Sequence, residues 1–99
     1  MSFVTALPDA LSAASGTLQG IGSALGAQNA AAAAPTTGVV PAAADPVSAL
    51  TATAFVTHAT LYQQISAQAQ AIHELFVSTL GVSSGSYAAT EAANAIAAG

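Results

Sequence analysis

The sequence predicts an all-α chain, an elongated antiparallel two-helix hairpin whose core is left open on one side. Twenty-eight of the 99 residues are alanine, the residue with the best intrinsic helix propensity. Leu7, Leu11, Ala14, Leu18, Ile21 and Leu25 recur at spacings of four and three, the pattern of a helix lying against another helix. There is no lysine or arginine, and Asp9, Asp45, Glu74 and Glu91 are the only carboxylates. A chain with so little charge to show to water is expected to be covered by something else.

The first helix is predicted over about 8–34. Pro8 suits the first helical position, where its missing N–H costs nothing, and Asp9 sets a carboxylate at the positive end of the helix dipole. Pro35 should end it, because a proline ring clashes with the preceding turn. Residues 35–45 form a connector, with Pro35, Gly38 and Pro41 spread through Thr36, Thr37, Val39 and Val40. Asp45-Pro46 then pairs an N-cap acceptor with a proline at the first position of a second helix. That helix is predicted over about 46–80, with Gly81 as its stop. The two helices would span on the order of 40 and 50 Å, and the short connector makes them antiparallel neighbours. Beyond them lies a tail, 81–99, that opens on the loop-like run Gly81-Val82-Ser83-Ser84-Gly85-Ser86.

The second helix carries two apolar stripes. One reads Val47, Leu50, Ala54, Leu61, Ile65, Ile72 and Leu75; the other reads Phe55, Ala59, Tyr62, Ala69, Phe76 and Leu80. They are offset by about 100° around the helix, so the first helix can cover one and not both. The opposite side of the first helix carries Gly16, Gly20, Gly22 and Gly26, where another backbone can come close. An uncovered aromatic stripe marks an interaction surface, and a two-helix scaffold supplies only about 3–5 kcal/mol without further support. The residues assigned to a partner interface are Leu11, Leu18, Ile21 and Leu25 on the first helix. On the second they are Phe55, Tyr62, Ile65, Ala69, Ile72, Phe76 and Leu80.

Composition excludes several classes. Phosphate backbones are bound by Lys and Arg that release counterions, and neither residue is present, so nucleic acid is not the partner. Anionic membrane surfaces are disfavoured for the same reason. Without cysteine there is no disulfide framework and no thiolate metal site. The N-terminus has no positive n-region and meets Pro8 before an apolar core could form, unlike a standard secretory signal. The stretch from Ile21 to Ala34 is too short and too polar for a membrane span.

No enzymatic motif survives inspection. Gly81-x-Ser83-x-Gly85 matches the nucleophile-elbow pattern, but that serine works only on a strand-to-helix turn above a sheet, which this chain lacks. His58 and His73 have no cysteine and few carboxylates around them, so neither a catalytic site, a metal site nor a cofactor is expected. Gly16-xxx-Gly20 and Gly22-xxx-Gly26 lie in a helix dotted with polar residues, which points to close soluble packing rather than a membrane dimer.

Four segments occur in order along the chain: the start Met1-Ser2-Phe3-Val4, Asn29-Ala30 through Ala34 with Pro35-Thr36-Thr37, Pro41-Ala42-Ala43-Ala44-Asp45-x-Val47-Ser48, and Tyr87-x-x-x-Glu91. Together these parts resemble the PE family of mycobacteria. The last segment fits the Y-x-x-x-[D/E] secretion motif. The Pro-Glu pair that names the family is Pro8-Asp9 here, which keeps the carboxylate at the helix start. The resemblance implies a single PE domain over 1–99, without the enzymatic or glycine-rich C-terminal domains of some members. It implies a 1:1 heterodimer with a PPE-family protein, closing a four-helix bundle, and export of the pair through a type VII (ESX) secretion system. Tyr87 and Glu91 would be the signal. An EspG-type chaperone would hold the PPE subunit. The chain would be cytoplasmic before export and secreted or at the cell surface after it, part of a virulence- or envelope-associated complex whose activity belongs to the partner or the pair.

Two other readings stand beside this one. A homodimeric helical bundle, in the manner of WXG-type secreted proteins, would cover the same stripes. An envelope- or lipid-binding amphipathic hairpin would be expected to use Lys or Arg at the interface, and none is available.

Overall fold

The computed structural model describes residues 5–99; the Met1-Ser2-Phe3-Val4 start lies outside the described residues. Two α-helices account for almost all of them, α1 (Pro8–Thr37) and α2 (Pro46–Ala97), with no strand among the described residues. Two compact units are formed. Unit 1 combines the chain up to Gly22 with His73–Gly99, and unit 2 is Ser23–Ile72.

In unit 2 the end of α1, the connector and the start of α2 form a helical hairpin. Asp45 caps α2: its carboxylate accepts the Ser48 N–H at 2.9 Å and the Ser48 hydroxyl at 2.8 Å. Those two donors, the backbone N–H first, hold the exposed Asp45 carboxyl below its ordinary range. Across the hairpin, the Tyr62 hydroxyl donates to Asn29 Oδ1 at 2.8 Å and Gln63 Nε2 donates to the Asn29 carbonyl at 3.1 Å. Ala52 and Ala59 are the buried apolar residues, 7% and 8% exposed.

In unit 1 the two helices also run antiparallel, and the bonded pairs step down α1 as they step up α2. His73 Nε2 donates to the Leu18 carbonyl at 2.7 Å, Ser15 Oγ to the Val77 carbonyl at 3.1 Å, and Ser84 Oγ to the Pro8 carbonyl at 2.7 Å. Because the acceptor is a carbonyl, the His73 Nε2 position carries a hydrogen.

The ends of both helices differ from the sequence expectation. α1 does not stop before Pro35 but runs to Thr37. Pro35 falls in the last turn, where its missing N–H removes one helix bond, and the helix runs only two residues beyond it. The Thr36 and Thr37 hydroxyls bond back to the Ala32 and Ala33 carbonyls, and the Gly38 N–H closes on the Ala34 carbonyl at 3.0 Å. Likewise α2 passes through Gly81, and 81–86 is helix rather than loop. One helical glycine costs about 1 kcal/mol, less than a long alanine-rich continuation anchored by Ser84 returns. The left-handed glycine cap falls instead at Gly99, with φ 78°.

The largest correction concerns the seam. α1 was expected to cover one apolar stripe of α2, and it covers neither as a whole: of the stripe residues only Ala59 and Leu80 turn inward. The inward residues of α2 are Ser48, Ala52, Val56, Ala59, Gln63, Ser66 and Gln70 in unit 2, then His73, Val77, Leu80 and Ser84 in unit 1. This line keeps a three-four spacing, but apart from Val56, Val77 and Leu80 its members are small or polar. On α1 only Leu11 and Leu18 of the expected seam turn partly inward; Leu7, Ile21 and Leu25 are exposed. Gly22 is buried instead, and a Cβ at Gly26 would stand 3.6 Å from the Gln70 side chain. Two of the four glycines thus face α2, where a missing side chain permits close approach. Gly16 and Gly20 have nothing within 4 Å of a would-be Cβ.

Candidate partner-docking surface

With the seam built from small residues, the large apolar side chains of both units are left outside. In unit 2, Phe55 is 61% exposed, Tyr62 49% and Ile65 64%, and Val47, Leu50, Leu61 and Ile72 are exposed as well. In unit 1, Leu7 is 72% exposed and Phe76 55%, with Leu75, Val82, Tyr87 and Ile96 also exposed. Alanine burial stabilises little, since the hydrophobic term scales with apolar area. Each unit therefore holds its helices together with few apolar contacts and keeps most of its apolar area available. A soluble surface rarely carries contiguous apolar area on this scale unless something docks there.

The exposed residues are not evenly spread around α2. In unit 2, Phe55, Tyr62 and Ala69 recur every seven residues and flank the seam line Val56, Gln63 and Gln70 by one position. Phe55 and Tyr62 form one wall of an apolar groove of about 430 Å³, closed on the α1 side by Ala32, Pro35 and Thr36 and beyond it by Val39. His58 and Gln63 supply its polar groups. The hydrogen bond from Tyr62 to Asn29 fixes that ring beside the groove. In unit 1, Leu7, Ala10, Leu11 and Tyr87 line a second groove of about 470 Å³.

Among the residues singled out from sequence, Leu11, Leu18 and Leu80 are half-buried along the seam, while Ile21, Leu25, Phe55, Tyr62, Ile65, Ala69, Ile72 and Phe76 are exposed. Pro8 opens α1 with Asp9 in its first turn. Tyr87 and Glu91 are both exposed, four residues apart on one helix, and so share a face. Sequence periodicity missed Gln63 as a structural residue, because a polar residue in a seam is invisible to a search for apolar repeats. Ser83 lies inside α2 rather than on a strand-to-helix turn. Among the described residues no three His, Cys, Asp or Glu side chains group as metal ligands, and no helix is long and apolar enough to cross a membrane.

The family model described as "PE family" matches residues 4–94. The chain belongs to the PE family. It is 65% identical over 98 residues to the PE family protein PE13 of Mycobacterium tuberculosis, covering 99% of both chains. It is 56% identical over 98 residues to PE8 of the same species, covering 99% of this chain but 36% of that one. Against the M. tuberculosis PE-PGRS family protein PE_PGRS33 it is 57% identical over 95 residues, covering 96% of this chain and 20% of that one. The PE chain described here thus spans nearly all of PE13 and only the lesser part of the two longer relatives.

Proposed function

We propose that this PE chain is a non-enzymatic subunit that pairs 1:1 with a PPE-family protein, whose helices complete a four-helix bundle over its exposed apolar faces. The observation that carries the reading is the inversion of the hairpin: small and polar residues inside, Phe55, Tyr62, Ile65, Ile72 and Phe76 outside. PE-family membership supports a PPE protein as the partner class. The pair is then a substrate of a type VII (ESX) secretion system. It is held in the cytoplasm by an EspG-type chaperone on the PPE subunit, and is secreted or displayed at the cell surface after export. Tyr87 and Glu91 act as the export signal.

The deciding experiment is expression of the chain alone and together with PPE proteins of the host. Alone it should scatter light as aggregate or melt without cooperativity; together with its cognate PPE protein it should elute as a soluble 1:1 complex. A monodisperse, cooperatively melting monomer or homodimer of the isolated chain would falsify the obligate heterodimer.

A further inference from the structure

A seam of alanine, glycine and serine does not by itself decide which residue of α1 lies opposite which residue of α2. Small side chains recur along it at heptad spacing, as Ala52 and Ala59 do in unit 2. Sliding α1 by seven residues would set Leu18 in place of the half-buried Leu11 and Leu25 in place of the half-buried Leu18, and exchange small groups mostly for small groups elsewhere, with little change in buried apolar area. Something other than apolar packing must select the register.

In each unit a long polar side chain of α2 ends on a backbone carbonyl of α1. His73 Nε2 meets the Leu18 carbonyl at 2.7 Å in unit 1, and Gln63 Nε2 meets the Asn29 carbonyl at 3.1 Å in unit 2. Both acceptors are followed four residues later by a small residue, Gly22 after Leu18 and Ala33 after Asn29. Side chains on a helix lean back over the preceding turn, so a larger residue there would shield the carbonyl. A slip of seven residues that set Leu25 in place of Leu18 beside His73 would bring Asn29 over the new acceptor. It would also set Asn94 in place of Tyr87 beside Leu7. A single buried polar residue is a well-attested device for fixing register in paired helices.

We propose that His73, with Gln63 in the other unit, is a positioning residue that selects the hairpin register. This deepens the heterodimer reading and rests on it: the register decides which side chains of α1 and α2 jointly face the partner.

The natural chain has no cysteine, so cysteine pairs report the register cleanly. A Cβ at Gly81 would lie 3.6 Å from Ser15 Oγ, which makes Ser15→Cys with Gly81→Cys the native-register pair. Ser15→Cys with Ala88→Cys reports the seven-residue slip. Cells expressing each full chain are treated with a short bis-maleimide, and the purified chain is cut after Glu74, which separates residue 15 from residues 81 and 88 unless they are joined. With His73 present, the 15–81 link should dominate. His73→Leu should raise the ratio of 15–88 to 15–81 links by about tenfold, the upper range for one hydrogen bond. His73→Gln, which retains an N–H donor, should return it toward the starting value. An unchanged ratio in His73→Leu overturns the proposal. So does loss of both links, since the bond would then be needed to form the hairpin rather than to choose its register. The ratio is read in cells that also express the cognate PPE protein, and recovery of the complex is measured in the same cells; a native-register ratio with no PPE protein recovered counts against the heterodimer alone.

Discussion

The Ser84 hydroxyl donates to the Pro8 carbonyl at 2.7 Å, tying the first turn of α1 to a stretch of α2 beyond Gly81. Ser84 is itself buried, so this bond is sheltered from water and marks 81–86 as part of the folded unit. With the neighbouring bond from Ser15 to Val77, it makes polar side chain to backbone contacts a main means by which unit 1 holds its helices together.

Ser84→Ala should therefore lower stability by about 1 kcal/mol, the net worth of a sheltered hydrogen bond. The exposed Ser86→Ala should be silent. Thermal unfolding of the co-purified complex distinguishes them, and equal melting temperatures would return 81–86 to the status of a loop.

Gly16 and Gly20 have open space where a Cβ would stand. Gly16→Ala and Gly20→Ala should each stabilise the helix by about 1 kcal/mol through propensity alone. If a partner backbone approaches there, the same changes should reduce co-purification of the partner while raising helicity. Gain in both readouts would show that this face stays open in the complex.

Local chemistry made the helix starts legible: Asp45 and Pro46 announce α2, and the Asp45 carboxylate does accept from Ser48. The helix ends were not legible. Past Pro35 the helix persists only two residues, with Thr36 and Thr37 bonded back to the Ala32 and Ala33 carbonyls; past Gly81 the support is the Ser84 bond to Pro8, far away in sequence and invisible to local reading. The exposed stripe residues could be read from the sequence, since Phe55, Tyr62 and Phe76 recur at helical spacing. What covers them could not, and neither could the true seam. Apolar periodicity finds large residues, and this hairpin buries Ala52, Ala59 and Gly22, whose small size is the reason they fit.

Protonation of Asp45 tests the cap. Its folded pKa lies below the ordinary value of 3.8 because the Ser48 N–H and hydroxyl favour the carboxylate. A depressed folded pKa gives stability that is present above the unfolded value and lost as pH falls through the folded one. In the co-purified complex, Asp45→Ala should melt at lower temperature than the parent at neutral pH, and the gap should narrow below about pH 4. Asp45→Asn, which keeps a capping oxygen, should lose little. A gap that does not narrow in acid would separate the cap from the carboxylate charge.

Ile65 and Phe76 are exposed in the hairpin, so a charge there should leave helicity intact and act only on association. Ile65→Asp and Phe76→Asp should abolish recovery of the partner, because an unpaired carboxylate buried in an interface costs several kcal/mol. Thr57→Asp and Gln64→Glu should be nearly silent. If the second pair blocks co-purification and the first does not, the partner lies on the other side of α2.

The tail offers the sharpest separation of packing from signalling. Tyr87 and Glu91 share a face of α2, yet their surroundings differ. Tyr87 lines a groove with Leu7 and Leu11, whereas Glu91 is simply exposed. Truncating the tyrosine removes a groove wall as well as any signal, so Tyr87→Ala should cost some stability in addition to export. Glu91→Ala removes one surface charge and should leave complex yield and melting temperature unchanged. If the pair is read by the type VII machinery, an aromatic ring and a carboxylate one turn apart provide one apolar and one charged contact. Glu91→Ala should then stop the complex from reaching the culture filtrate while it accumulates intact inside the cell. Fractionation of cells expressing each variant with its partner measures this. Normal secretion of Glu91→Ala, with Tyr87→Ala failing only in proportion to its lost stability, would leave Tyr87 as a packing residue and remove the signal assignment.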